Sequence, residues 1–425
     1  MVNDLKLRPS QEEALEFVKS NRKATALCLS TAFGKTFLSE AVARSCGRTA
    51  IITYANALVR QHLQLFPKNN LMIGMSNYRH SKDYELAVAR SNNETTLFNA
   101  ASFVKYMSRP DSVPFDTVII DEADSCLGLF ALQSGTSIPI EVENPSLEHV
   151  LEALGKAGRV EHKVLHDRLV ANQHKYYWRV EEKKIKGAES RVCTIRSVIP
   201  NLRTLHLPDH TVLMSGTLFD SHIKEYFRDG EVAKYEAPSP IPVERRPIDF
   251  FTTDLPYEPT IENMLEFYAL VEKAYTERPA IFHVTYSDVQ ALKEHLLAKS
   301  YAHKDEKVSV LYNLAKGDLA LAPGATIGLD LANDRARLNV ILRGAFPNLG
   351  DEYVRKRAAM DGGERWYTDE VLRQTVQACG RVCRTPEDYG RTVITDPRII
   401  MALGCNREVL PKYFVEAVTA WNLIK

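Results

Sequence analysis

Two stretches of this chain hold residue types that could do chemistry together: Ser30-Thr31-Ala32-Phe33-Gly34-Lys35-Thr36 and Val118-Ile119-Ile120-Asp121-Glu122-Ala123-Asp124. In the first, a turn opening a helix would aim backbone N–H groups at a phosphate. Lys35 would then reach the β and γ oxygens, and the Thr36 hydroxyl would ligate Mg²⁺. The complete pattern places Gly five residues before Gly34, where this chain has Leu29. Taken alone, the fragment could also be an ordinary strand-to-helix turn, the less favoured of the two readings. In the second stretch an apolar strand ends in carboxylates, with Asp121 to hold the metal and Glu122 to orient an attacking water. Apolar strands ending in acids are common by chance. Joined to Gly34-Lys35-Thr36 in one chain, with alternating strands between them, the pair points to hydrolysis of ATP or GTP.

The elements that must position these residues follow a parallel-sheet rhythm. Apolar runs at Ala24–Leu29, Thr49–Tyr54, Leu71–Met75, Thr95–Phe98 and Thr117–Ile120 alternate with helix-period segments, as strands covered by helices do. The rhythm breaks over 125–205, where charged helical stretches around Leu147–Ala171 and a polar segment, Glu181–Ser190, suggest an insertion. Thr211–Met214 restores a strand. Pro238, Pro240 and Pro242 then mark a linker that can continue neither helix nor sheet. Beyond it strands are expected at Ala280–Val284, Val308–Tyr312, Leu338–Leu342 and Thr392–Thr395, and helices at Ser287–Ala298 and Thr368–Cys383. The expected division is a first domain over 1–236, carrying the insertion 125–205, and a second over 237–425.

Composition narrows the classes further. The 425 residues carry 54 Lys and Arg against 54 Asp and Glu, a net charge of zero. A globally basic nucleic-acid wrapper is excluded, whereas a local basic groove is not. No run approaches the ~18 uninterrupted apolar residues of a spanning helix, so no membrane association is expected. Asp4, Lys6 and Arg8 stand where a signal peptide would begin its apolar segment. Seven Cys without tight spacing suit thiols in a reducing compartment, so the cytoplasm is expected. His162 and His166 recur one helical turn apart, but Lys163 stands where a zincin pattern needs Glu, so they read as a solvated helix face. Cys379 and Cys383 read as small packing positions.

With Arg8-Pro9-Ser10-Gln11 upstream of the phosphate loop and Asp-Glu-Ala-Asp at 121 to 124, the chain resembles superfamily 2 helicases. Ser215-Gly216-Thr217-Leu218 resembles their coupling motif, and Gln377-Ala378-Cys379-Gly380-Arg381-Val382-Cys383-Arg384 their Q-x-x-G-R-x-x-R arginine-finger segment. On one helix Gln377, Arg381 and Arg384 would share a face, as groups aimed at one phosphate must. Within the superfamily the chain is most similar to the XPD/DinG branch. The likeness rests on Ser215 to Leu218, Ser239 to Glu244, Val340 to Asn348 with Asp351, and Trp366 through Arg384 to Arg398. Two departures stand out. Between the phosphate loop and Asp121 the only thiol is Cys46, whereas an iron-sulfur cluster needs four, so none is expected there. Gly328 and Asp330 are kept in a further nucleotide-site motif, where Ile327 replaces the Glu that relatives tend to carry.

The resemblance implies an α/β fold of two RecA-like parallel-sheet domains in tandem, binding ATP and Mg²⁺ between them. Its implied nucleotide-site residues are Arg8, Gln11, Ser30, Thr31, Ala32, Phe33, Gly34, Lys35, Thr36, Gly328 and Asp330. Thr36 and Asp121 would hold the metal, and Lys35, Glu122, Gln377, Arg381 and Arg384 would act in catalysis. Ser215, Gly216 and Thr217 would couple nucleotide state to a nucleic-acid face. Gln11 with Arg8 would read adenine, since an amide can pair with both N6 and N7; the same residues also suit an N-terminal helix cap. A strand-tracking groove needs hydroxyls, amides, scattered cations and an occasional ring. Its candidates by motif position are Thr53, Asn56, Arg60, Asn99, Thr285 and Tyr286. The implied activity is a monomeric DNA helicase moving 5′-to-3′ on single-stranded DNA and engaging fork or tailed duplexes, in a bacterial or phage-infected cell. Two other readings stay open: a DNA-stimulated ATPase that does not unwind processively, and a non-hydrolysing nucleic-acid-binding module.

Overall fold

The computed structural model describes residues 5–74, 81–90, 95–109, 112–133, 135–185, 188–199, 202–205, 207–227, 232–251, 260–275, 280–296, 298–300, 310, 313–315, 318–323, 337–380, 383 and 385–421. The chain opens with helix α1 (Pro9–Ser20) and strand β1 (Thr25–Cys28), followed by α2 (Lys35–Ser45), β2 (Thr49–Thr53), α3 (Asn56–Leu65) and β3 (Asn70–Met72). Then come α4 (Ser81–Arg90), β4 (Thr96–Asn99), α5 (Ala100–Met107), β5 (Thr117–Asp121) and α6 (Ala123–Gln133). The run Thr49-Ala50-Ile51-Ile52-Thr53 is buried at every position, as happens where helices cover both faces of a parallel sheet.

The region expected as an insertion forms a unit with its own core. It comprises β6 (Thr136–Pro139), α7 (Leu147–Lys156), α8 (Val160–Asn172), β7 (Tyr176–Ile185) and β8 (Ala188–Ser197). The three strands pair antiparallel in the order β6-β8-β7. Ile138, Val150, Leu154, Leu169, Cys193 and Ile195 pack between this sheet and its helices. The polar segment Glu181–Ser190 falls in the β7–β8 hairpin. His162 is a correction: it is buried on α8 rather than part of a solvated face.

The chain returns to the first sheet with β9 (Thr211–Ser215), α9 (Asp220–Tyr226) and β10 (Ala233–Glu236). That sheet is parallel throughout, in the order β10-β1-β9-β5-β2-β4-β3. Strand β9 therefore lies between β1 and β5, and the loops leaving all three emerge side by side at the sheet's carboxyl edge, the usual ligand edge of such sheets.

The second sheet begins with β11 (Ile248–Phe250), so sheet membership changes between Glu236 and Ile248. It continues through α10 (Ile261–Tyr275), β12 (Ala280–Val284), α11 (Tyr286–Lys293), β13 (Lys299–Ser300), β14 (Leu319–Pro323) and β15 (Leu338–Ile341). The chain closes with α12 (Glu352–Ala358), α13 (Gly363–Cys379), β16 (Arg391–Ile394), α14 (Pro397–Cys405) and α15 (Lys412–Ala417). The strand order is β11-β16-β15-β12-β14-β13, again all parallel. Strand β14 did not stand out in the sequence, and the strand expected at Val308–Tyr312 lies outside the described residues apart from Val310. No helix among the described residues is long and apolar enough to cross a membrane.

Candidate functional site

The loop after β1 is shaped from behind. Leu29, standing where the full pattern has Gly, is wholly buried in the first domain's core. Its N–H donates to the Ser215 carbonyl at 2.9 Å, so it still belongs to the sheet. The loop then turns through positive φ at Ala32 (67°) and Gly34 (84°). A non-glycine residue held there is uncommon and typical of ligand-clamping loops. At Gly34 a Cβ would come within 2.5 Å of Gln11 Nε2, so glycine is needed for space as well as conformation. Gln11 Nε2 donates to the carbonyls of Phe33 (2.8 Å) and Gly34 (3.2 Å), while Gln11 Oε1 accepts from the Arg8 N–H at 2.9 Å. The Arg8 guanidinium donates to the carbonyls of Ala32 and Phe33. Gln11 and Arg8 thus act as a cap of α1 and as a brace for the loop. Because each C=O lies trans to the next N–H, holding these carbonyls toward α1 turns the N–H groups of Gly34 and Lys35 to the opposite side, at the start of α2.

Lys35 lies over the end of β5. Its Nζ is 2.7 Å from Glu122 Oε1. Burial pulls the ammonium's pKa down, but Glu122 and Asp121 outweigh it, so the lysine holds its proton more firmly than usual. Burial pushes the Asp121 carboxyl up to about 6, with Glu122 adding to the rise and Lys35 opposing it. Glu122 adopts a positive φ of 51°, a second strained residue at this edge. Asp121 and the Thr36 hydroxyl are hard oxygen donors of the kind Mg²⁺ accepts beside phosphate oxygens and waters.

Asp124, in the first turn of α6, joins the β5 end of the sheet to the β9 loop and to the second domain. It is buried (3% exposed), and its Oδ1 accepts from Ser215 Oγ at 2.7 Å. Its Oδ2 accepts from Thr217 Oγ1 and, across from the second domain, from Gln377 Nε2 at 2.9 Å. Gln377 Nε2 also donates to Thr217 Oγ1 at 3.1 Å. Ser215 Oγ lies 3.5 Å from Glu122 Oε2, so the same hydroxyl touches both acids of the β5 loop.

The second domain closes on this edge at two further points. Tyr413 on α15 donates its hydroxyl to the Gly216 carbonyl at 2.8 Å. Gly380, which caps α13, lies so close to the phosphate-type loop that a Cβ there would meet Thr31 Oγ1 at 2.7 Å. A cavity of about 40 Å³ remains beside Ser30, Thr31, Arg246, Gly380 and Tyr413. Helix α13 runs to Cys379, shorter than the expected Thr368–Cys383 at its end and longer at its start. Arg381 and Arg384 lie outside the described residues, as do Gly328 and Asp330. Cys379 and Cys383 are both buried.

The candidate strand-binding residues stand at carboxyl ends of strands. Thr53 closes β2 and is buried, its hydroxyl donating to the Ala55 carbonyl at 3.2 Å. Asn99 closes neighbouring β4, accepts from the Ser102 N–H as the cap of α5, and donates to Asn56 Oδ1. Asn56 and Arg60 are exposed on α3. Thr285 caps α11 after β12, with Tyr286 beside it and 52% exposed. The structure thus joins Thr53, Asn56 and Asn99 on the first sheet and sets Thr285 and Tyr286 on the second.

Three residues of this site carried no role in the sequence. Asp124 was visible in Asp-Glu-Ala-Asp, but its partners come from distant segments. Tyr413 gave no signal. Arg373 did: it precedes Gln377 by one helical turn and extends the same face of α13 toward its N-terminus.

Residues 257–413 match the family model of the helicase C-terminal domain. No curated protein matches the chain. Among solved structures, one titled XPD apo has a TM-score of 0.61 at 15% identity, over 92% of this chain and 96% of its own. An XPD helicase structure gives 0.60 at 16% identity, over 94% and 96%. The Xpd4 structure from S. tokodaii gives 0.59 at 14% identity, over 94% and 97%. The likeness runs through both sheets and shows the fold.

Proposed function

For a chain that has the two-sheet fold of the XPD helicases and carries a helicase C-terminal domain, we propose ATP hydrolysis coupled to movement along single-stranded DNA and to duplex unwinding. The observation that carries the proposal is Asp124. One buried carboxylate of the β5 loop is bonded at once to the β9 loop and to a helix of the other domain. Any shift of the β5 loop is therefore felt across the cleft.

In this reading Lys35 takes the phosphates, Glu122 orients the water, and Arg381 and Arg384 complete the site from the second domain. Mg²⁺ held by Asp121 and Thr36 would neutralise charge on the phosphates. An incoming triphosphate competes with Glu122 for the Lys35 ammonium, and releasing Glu122 leaves its carboxylate to act on water. The second domain packs close to the phosphate-type loop at Thr31 and Gly380, so a bound nucleotide would be felt by both domains. The stroke would follow from opening and closing of that contact, with Ser215 and Thr217 relaying it to Thr53, Asn56, Arg60 and Asn99 on one sheet and Thr285 and Tyr286 on the other.

The division into 1–236 and 237–425, with 125–205 as an appended unit near the fork, belongs to the same proposal, as do a monomeric state and the cytoplasm. The test is strand displacement on duplexes carrying a 5′ or a 3′ single-stranded tail, with ATP and with a non-hydrolysable analogue. Displacement of the 5′-tailed duplex with ATP alone is the expected result. Hydrolysis without displacement on either substrate would reduce the activity to translocation or remodelling.

A further inference from the structure

Arg373 lies outside the Q-x-x-G-R-x-x-R segment, yet its buried guanidinium reaches from the second domain to the first. Two of its nitrogens grip Glu370 on the same helix: Nη2 at 2.7 Å from Oε2, and Nε at 3.2 and 3.3 Å from the two oxygens. The third, Nη1, donates to Gln377 Oε1 at 3.3 Å and to Ser125 Oγ at 3.4 Å, and lies 4.0 Å from Asp124 Oδ2. Glu370 faces the first domain, where His222 Nε2 lies 3.6 Å from its Oε1, beyond hydrogen-bond distance. His222 Nδ1 accepts the Phe219 N–H at 3.2 Å, which leaves the ring proton on Nε2, facing Glu370. Burial works against the charge on Glu370, but Arg373 and His222 prevail and hold its carboxyl far below the usual range.

A glutamine amide has one accepting and one donating end, and its neighbours decide which way it points. A guanidinium only donates, so Arg373 can bond only Gln377 Oε1. That choice forces Gln377 Nε2 toward Asp124 Oδ2 and Thr217 Oγ1, where it makes both cross-domain bonds. Turned over, the amide would set oxygen against carboxylate and NH₂ against guanidinium. We infer that Arg373 is a positioning residue: by fixing the amide orientation of Gln377, it decides whether the second domain is bonded to Asp124 and Thr217. This rests on the coupling role proposed above for those residues.

A double-mutant cycle tests it. ATP hydrolysis is titrated with single-stranded DNA for wild type, Arg373→Ala, Gln377→Ala, the double variant and Arg373→Lys. If Arg373 acts through Gln377, each alanine lowers the DNA-stimulated maximal rate about tenfold and the double variant is no worse than either single one. The KM for ATP stays within about twofold, and Arg373→Lys, whose head group also only donates, recovers much of the stimulation. Multiplying effects, or a lysine as damaging as alanine, would overturn the inference while leaving the coupling reading intact. A wild type unstimulated by DNA would instead remove the coupling reading and the inference with it. Should Arg373→Ala fail to fold, Glu370→Gln takes its place in the cycle, with the same non-additivity expected.

Discussion

Two of the contacts between the domains are of opposite kinds. One is the set around Asp124, in which the buried Ser215, Thr217 and Arg373 and the half-buried Gln377 exchange bonds. The other joins the β7 strand of the inserted unit to helix α12. Lys356 Nζ donates to the Tyr176 carbonyl at 2.6 Å and lies 5.0 Å from the Trp178 ring centre, Arg179 pairs with Asp351, and the rings of Tyr177 and Tyr353 are 5.1 Å apart. Arg179 and Asp351 are 47% and 31% exposed. A half-exposed ion pair exchanges with water at little penalty, whereas a buried donor or carboxylate stripped of its partner has no replacement. The Asp124 set therefore behaves as an all-or-none switch, and the Arg179–Asp351 pair as a tether that can slip, although α12 is also held by the buried Arg357–Glu225 pair.

The sharpest way to break this comparison is Asp124→Ala. It strands the two buried hydroxyls of Ser215 and Thr217 and leaves Arg373 with one fewer acid nearby, so a loss of about 3 kcal/mol in unfolding free energy is expected, together with loss of DNA-stimulated hydrolysis. Denaturant unfolding and an ATPase assay on one preparation check both.

Gly380→Ala should do less to the fold and much to turnover. The added methyl would crowd Thr31 Oγ1 and hold the second domain off the loop, lowering the maximal hydrolysis rate about tenfold with little change in unfolding midpoint. An alanine variant with wild-type turnover would show that this contact is not part of the working closure.

Lowering the pH acts on neither contact but on the neighbouring metal-type carboxylate. Asp121 titrates at about 6 because burial and Glu122 favour its neutral form. A protonated carboxyl cannot serve Mg²⁺, so the Mg²⁺ requirement for hydrolysis should rise as pH falls through 6. Stability has the opposite sign. A carboxyl whose pKa is raised on folding stabilises the fold at low pH and loses that contribution as pH rises through about 6. Asp121→Asn should therefore be more stable than wild type at pH 8, with the difference vanishing near pH 4. Thermal unfolding at the two pH values checks the sign.

The smallest effect is expected at the tether. Arg179→Ala should change unfolding free energy by less than about 1 kcal/mol, with basal hydrolysis unchanged. A large loss there would make the α12 contact a structural bond and end the distinction.

How much of this was legible beforehand depends on where each signal resides. Strand β2 could be read because a strand buried on both faces is an uninterrupted apolar run with β-branched residues. Strand β14, Leu-Ala-Leu-Ala-Pro, is just as buried but is built from residues with little strand preference and ends in proline. Its strand character comes from its neighbours β12 and β13. That Lys35 would meet Asp121 and Glu122 was legible because local spacing puts each at the carboxyl end of a strand of the same sheet. Gln11 was legible as a site residue, but its grip on the loop carbonyls was not, since that depends on how α1 packs. Spacing sets Arg373 on the Gln377 face, but its partners on the first domain were hidden, like those of the α12 tether, for the same reason: they are close only after two sheets and an inserted hairpin have docked.

The most direct test of the central claim is steady-state ATP hydrolysis by wild type and Glu122→Gln, with and without single-stranded DNA, at two salt concentrations. The account predicts hydrolysis that DNA stimulates, that weakens with salt as phosphate contacts are screened, and that Glu122→Gln abolishes. Absence of hydrolysis by the wild type under every condition, or equal hydrolysis by the variant, would contradict it.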